Sequence, residues 1–148
     1  MKTILLVEDN PDDVKLTKRA LRENKIANEL VVVSDGVEAM EYLAEASTAA
    51  EEGTGTLPSV ILLDLKLPRM DGLETLRKIR ADERLKRLPV VVLTSSKEET
   101  DILRSYDHGA NSYIRKPVDF EQFSEAVREL ELYWLLLNEP PPEITAKA

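Results

Sequence analysis

The 148-residue chain has no cysteine and one histidine, His108. Without thiols it can form neither a disulfide framework nor a thiolate metal site, so any metal must rest on oxygen ligands. A single histidine gives little support to a histidine nucleophile or relay. No apolar run approaches the roughly 20 residues needed to span a bilayer. The start, Met-Lys-Thr followed by a short apolar stretch and then acids, lacks the pattern of a signal peptide. No membrane partner is expected, and a cytoplasmic location is the expectation. Basic residues are also in deficit, 20 Lys and Arg against 28 Asp and Glu, for a net charge of -8. That balance argues against nucleic acid as a partner, because phosphate contacts need clustered cations. What remains, 43% hydrophobic and 32% charged, suits one soluble globular domain with a full core.

Short apolar runs alternate with amphipathic stretches. Strands are expected at 3–7, 29–33, 59–63, 89–94 and 112–115. Helices are expected at 11–24, from Gly36 to about Ala46, at 72–80, at 98–108, and from just after Asp119 to about Leu137. Asn10 caps the first helix, with Pro11 at its first position. Val14, Leu16 or Thr17, Ala20 and Leu21 form its inner side. Val37, Met40 and Leu43 or Ala44 form that of the second, Leu73, Leu76 and Ile79 of the third, and Ile102, Leu103 and Tyr106 of the fourth. Residues 47–58 are rich in small and polar types and read as a surface loop, more padding than regulatory element. Five strands alternating with five helices imply an α/β fold, a doubly wound parallel sheet covered on both faces.

In such a sheet, ligands sit beyond the carboxyl ends of the strands near a switch in strand order. Those ends hold Glu8-Asp9, Asp64, Thr94-Ser95 and Lys116. A carboxylate at the mouth of a buried strand is costly unless a cation, a shared proton or chemistry compensates it. The three acids form an oxygen-only cluster suited to Mg²⁺, which keeps several waters and takes one or two carboxylates. Lys116 can hold a phosphoryl oxygen as a point charge, and Thr94 and Ser95 add hydroxyl donors. Carboxylates act as nucleophiles toward phosphoryl groups. Asp64, the most central acid, is the candidate nucleophile.

These pieces, Ile4-Leu5-Leu6-Val7-Glu8-Asp9, Leu62-Leu63-Asp64-Leu65-Lys66-Leu67-Pro68-Arg69-Met70-Asp71-Gly72, Leu93-Thr94-Ser95 and Lys116-Pro117, together resemble a bacterial response-regulator receiver domain. The resemblance covers about residues 2–130. It implies a flavodoxin-like sheet in the order 2-1-3-4-5 and phosphoryl transfer to Asp64 from a phosphohistidine on a sensor histidine kinase. It also implies that Asp9, Asp64 and the backbone carbonyl of Lys66 bind Mg²⁺ directly and that Glu8 acts through water. Mn²⁺ or Ca²⁺ would serve as substitutes. Lys116 would hold the phosphoryl group, with a cis bond to Pro117, while Thr94 and Tyr113 would move as a switch. The long loop before the third strand, the 85–94 stretch and the Tyr-Trp-Leu-Leu-Leu ending of the last helix, with prolines soon after, resemble the regulators that accompany phytochrome-type kinases. A phytochrome-type partner is therefore one candidate. So is a homodimer through the fourth helix, fifth strand and fifth helix.

Other readings stand beside these. Glu8 and Asp9 alone would be a helix-start acid pair favoured by the dipole. Asp71-Gly72 is a turn leading into a helix. Tyr113 fits an ordinary half-buried strand residue as well as a switch. The basic run Arg77, Lys78, Arg80, Arg84, Lys86 and Arg87 is a solvated face. The last helix is apolar all round at Leu132, Tyr133, Trp134, Leu135 and Leu136, which marks an interface or packing onto its own domain. The receiver unit is expected at 1–137 and a Pro-rich tail at 138–148, too short for an appended DNA-binding or enzymatic domain. No independent enzyme is expected beyond self-phosphorylation and autodephosphorylation. The competing functions are a phosphorylated switch, a phosphate sink, a receiver-fold binding module that is never phosphorylated, and a Mg²⁺-dependent phosphohydrolase.

Overall fold

The computed structural model describes residues 2–23, 28–94, 104, 106–110, 112–115, 121, 124–125 and 128. Five strands, β1 (Lys2–Val7), β2 (Asn28–Val33), β3 (Val60–Leu63), β4 (Val90–Thr94) and β5 (Ser112–Arg115), pair in parallel in the order β2-β1-β3-β4-β5. Helices α1 (Pro11–Glu23), α2 (Gly36–Glu52) and α3 (Gly72–Ala81) lie between them. Among the described residues no helix is long and apolar enough to cross a membrane.

Continuous apolar strands work here because both faces of the sheet are covered. Ile4 and Leu6 of β1 and Val60 and Leu62 of β3 pack with Ala20 and Leu21 of α1 on one side. Leu5, Val7, Ile61 and Leu63 point the other way, against Ala39 and Leu43 of α2 and Leu76 and Ile79 of α3. The period of two persists in the structure, but each position finds an apolar partner. Because α1 covers one face and α2 the other, the chain leaves β1 in one direction along the sheet and β3 in the opposite one. The gap between the carboxyl ends of β1 and β3 is therefore the switch point.

Four sequence expectations need correction. α2 does not end near Ala46 but runs to Glu52, so the connection thought to span 47–58 is only its last part. Ser47 and Ala50 are buried, and Gly53 closes the helix in the left-handed region at φ 75°, with the Thr54 N–H reaching back to the Ala49 carbonyl. Small residues there let the helix lie close to its neighbours rather than marking a loop. Tyr106 is half exposed rather than on an inner side, while Ile102 and Leu103 lie outside the described residues. Arg80 is not part of a solvated face. It donates to the carbonyls of Lys86, Leu88 and Gly109 at 2.7–2.9 Å, tying α3 to the segment before β4 and the turn before β5. Burial of the guanidinium lowers its pKa. On α2 the inward positions are Ala39, Leu43, Ala46 and Ala50, with Val37 and Met40 only partly covered and Ala44 exposed.

Candidate functional site

Two of the acids at the switch point are placed by the ladder that precedes them, and Asp9 follows the first in sequence. The Glu8 N–H donates to the Val33 carbonyl at 2.9 Å, extending the β1–β2 pairing by one residue. The Asp64 N–H donates to the Val7 carbonyl at 3.1 Å, extending β1–β3 in the same way. Glu8, Asp9 and Asp64 thereby come together, each offering a carboxylate oxygen within 4.8 Å of the other two. Glu8 and Asp64 are buried, at 3% and 8% exposure, and Asp9 is exposed at the mouth. Clustered like charges with two of three members removed from water are costly unless a cation offsets them. Hard oxygen donors at this spacing, open on one side, fit a divalent cation of the Mg²⁺ type that retains water.

The loop after β3 wraps this corner. The Lys66 N–H donates to Asp64 Oδ1 at 3.2 Å, and the Gly72 N–H donates to the Leu65 carbonyl at 3.0 Å. Asp71 accepts from the Glu74 N–H at 2.9 Å and so caps α3, as Asp-Gly promised. At the start of α1, Asn10 Oδ1 accepts from the Asp12 N–H at 2.9 Å, the expected cap.

The sequence reading missed Asp35 and Arg69. Asp35 is the buried N-cap of α2, accepting from the Glu38 N–H at 2.9 Å. Arg69 grips it with two donors, Nε to Oδ2 at 2.8 Å and Nη2 to Oδ1 at 3.1 Å. Asp35 before Gly36 was readable as a cap, but no local pattern joins residues 34 positions apart. The Arg69 hydrogen bond, and after it the Glu38 amide, hold the Asp35 carboxyl below its usual pKa. A lowered pKa gives stability that is present above the unfolded carboxylate value of about 3.9 and is lost as pH falls through the folded value. Arg69→Ala is thus expected to melt lower than the parent at pH 7 and to lose less further stability on acidification below about pH 4. Melting curves of both proteins across that range check it.

The other predicted site residues are placed in part. Thr94 lies in β4 opposite Arg115 of β5, and Tyr113 opposite Val92, but their side chains are outside the description. Lys116, Pro117, Tyr133, Trp134, Leu135 and Leu136 lie outside the described residues. His108 lines a groove with Leu73, Arg77 and Arg104 and is not among the clustered acids.

A family model described as the response regulator receiver domain matches residues 4–128. The chain is 41% identical over 138 residues to the probable methanogenesis regulatory protein FilR2 of Methanothrix harundinacea, covering 93% of this chain and 86% of that one. It is 40% identical over 134 residues to the response regulator Rcp1 of Synechocystis sp., covering 90% and 89%. Among solved structures, the phosphorylated cyanobacterial phytochrome response regulator RcpA superposes with a TM-score of 0.84 at 43% identity, covering 95% of this chain and 99% of that one. The Mn²⁺-bound form of Rcp1 gives a TM-score of 0.83 at 38% identity, covering 96% and 100%.

Proposed function

The chain belongs to the response regulator receiver family, and from that premise we propose that Asp64 accepts a phosphoryl group from a phosphohistidine on a sensor histidine kinase. It is a receiver-domain response regulator related to the phytochrome-associated regulators. Receiver domains bind a divalent metal at their acidic pocket, and one neighbour was solved with Mn²⁺ bound. The observation that carries the proposal is the trio Glu8, Asp9 and Asp64 at the switch point, with two of the acids buried.

The chemistry assigned to the chain's own residues is compact. An Asp64 carboxylate oxygen attacks phosphorus, the P–N bond to the donor imidazole breaks, and that nitrogen regains a proton. Asp9 and Asp64, with the Lys66 carbonyl and with Glu8 acting through water, would hold Mg²⁺, which supplies charge neutralisation for the phosphoryl oxygens. Lys116 and Thr94 would bind those oxygens once the group is on Asp64. Tyr113 would turn with Thr94, giving two states biased by one local charge event. The receiver unit in this reading spans 1–137, with 138–148 as a tail.

The test is incubation with Mg²⁺ and a small phosphoramidate or acyl-phosphate donor. The expected product is an acid-stable, base-labile adduct on Asp64 that fails to form when a chelator removes the cation. Absence of an adduct with every donor would instead favour a receiver-fold binding module.

For the kinase we propose a phytochrome-type partner, supported by the likeness to Rcp1 and RcpA. The apolar stretch Tyr133, Trp134, Leu135 and Leu136, which the sequence pattern alone assigns to a last helix, supports a two-fold dimer together with the expected fourth helix and the fifth strand. Sedimentation at micromolar concentration is expected to show a dimer in at least one phosphorylation state. A monomer in both would remove that part of the reading.

A further inference from the structure

Arg69 is the only non-glycine with positive φ among the described residues, at 59°. That backbone region is costly for an L-residue with a long side chain and persists where surrounding contacts over-determine it. Here the contacts are specific. The guanidinium fork reaches Asp35, whose side chain is only 8% exposed. Beside it the Gly36 N–H donates to the Met70 carbonyl at 3.2 Å. A Cβ on Gly36 would stand 2.6 Å from that same carbonyl oxygen, so the start of α2 and the loop after β3 touch backbone to backbone. The base of the loop is tied separately, by Gly72 to Leu65 and by Lys66 to the Asp64 carboxylate. The loop from Leu65 to Asp71 is thus closed on itself at its foot, just after β3, and tied at its crest to the start of α2.

We infer that the Asp35–Arg69 pair is a positioning device for the acidic site, holding the crest of this loop so that Lys66 and Asp64 keep the arrangement that receives the cation. The inference rests on the cation-binding reading above. The hydrogen bonds of the pair run between its two members and from the Glu38 N–H to Asp35, so its effect on the acids is carried by the loop. An exposed ion pair contributes little as a rule. This one differs because its acid is buried, its geometry is two-pronged and it stabilises an unfavourable backbone state.

The test uses the full chain and Mn²⁺ as the probe, titrated with detection of the free ion by electron paramagnetic resonance. Asp35→Asn keeps an oxygen to cap α2 but loses the charge. Arg69→Gly suits the left-handed backbone but loses the fork. Both are expected to raise the Mn²⁺ dissociation constant about threefold or more, less than the 10–100-fold typical of groups bonded directly to a ligand. The double variant should bind no more weakly than the worse single one, because the two residues act as one unit. Arg69→Lys should recover part of the affinity. In the cation-free variants, hydrogen exchange at the Gly36 and Gly72 amides should quicken by a larger factor than at the Leu6 amide of β1, which follows only the global loss of stability. A parent protein that binds no Mn²⁺ would overturn the site reading itself. A binding parent with unchanged variants would overturn the positioning role alone, as would an equal loss of protection at Leu6, which indicates general destabilisation.

Discussion

Asp64→Asn is expected to carry no phosphoryl adduct under conditions that label the parent fully. The amide oxygen is a far weaker nucleophile than a carboxylate, and it brings no negative charge to the cluster with Glu8 and Asp9. Loss of one carboxylate should also weaken the cation by about tenfold or more. Thermal melts separate this from misfolding. With Mg²⁺ at about 100 times the parent's dissociation constant, the parent gains about 2.7 kcal/mol. A variant binding tenfold more weakly gains about half as much at the same concentration. For a domain of this size each kcal/mol corresponds to about 2–4 °C. The variant should therefore melt cooperatively but respond to Mg²⁺ by about half as many degrees. An adduct that persists on Asp64→Asn would reassign the nucleophile.

Gly72→Ala is expected to be the most damaging of the five glycine-to-alanine changes. A Cβ there would overlap the Asp64 carbonyl oxygen and stand 2.7 Å from Leu65 Cα, both of them backbone atoms of the site. Backbone cannot swing aside as a side chain can, so either α3 or the end of β3 must move. Overpacking of this kind costs about 1–3 kcal/mol, and rigid neighbours place this case at the upper end. The melting temperature should fall by about 6–12 °C at 3 kcal/mol. Adduct formation should slow even below that temperature, because the displaced atoms are those that aim Asp64. Gly53→Ala provides the contrast. Gly53 sits at φ 75° with nothing within 4 Å of its added methyl, so only the left-handed backbone penalty applies. That penalty is about 1–2 kcal/mol. Equal losses in the two variants would show that contact with Asp64 is not the reason for glycine at 72.

Much of the architecture was readable because it rests on local pattern. Strand bounds from apolar runs fell within about a residue of those observed, and parallel pairing followed from strands that alternate with helices. Asn10 and Asp71 were legible as caps because capping needs only a side-chain oxygen and two or three following residues. α2 was misread past Ala46 because Ser, Thr, Ala and Glu look like loop when taken as composition. Ala and Glu are also good helix formers, and Gly53, the left-handed stop, was the signal that could have placed its end.

The sequence by itself determined the sheet, its strand order by family resemblance, and the acids and their chemical type. These follow from periodicity, strand ends and motif order, all of which are properties of short stretches. Only the tertiary structure decided that Arg80 braces α3, that Gly72 is small to admit the Asp64 carbonyl, and that Arg69 holds Asp35. Those facts depend on side chains meeting residues up to 34 positions away in the sequence, or on backbone atoms approaching more closely than any side chain would allow. No local pattern carries either kind of information.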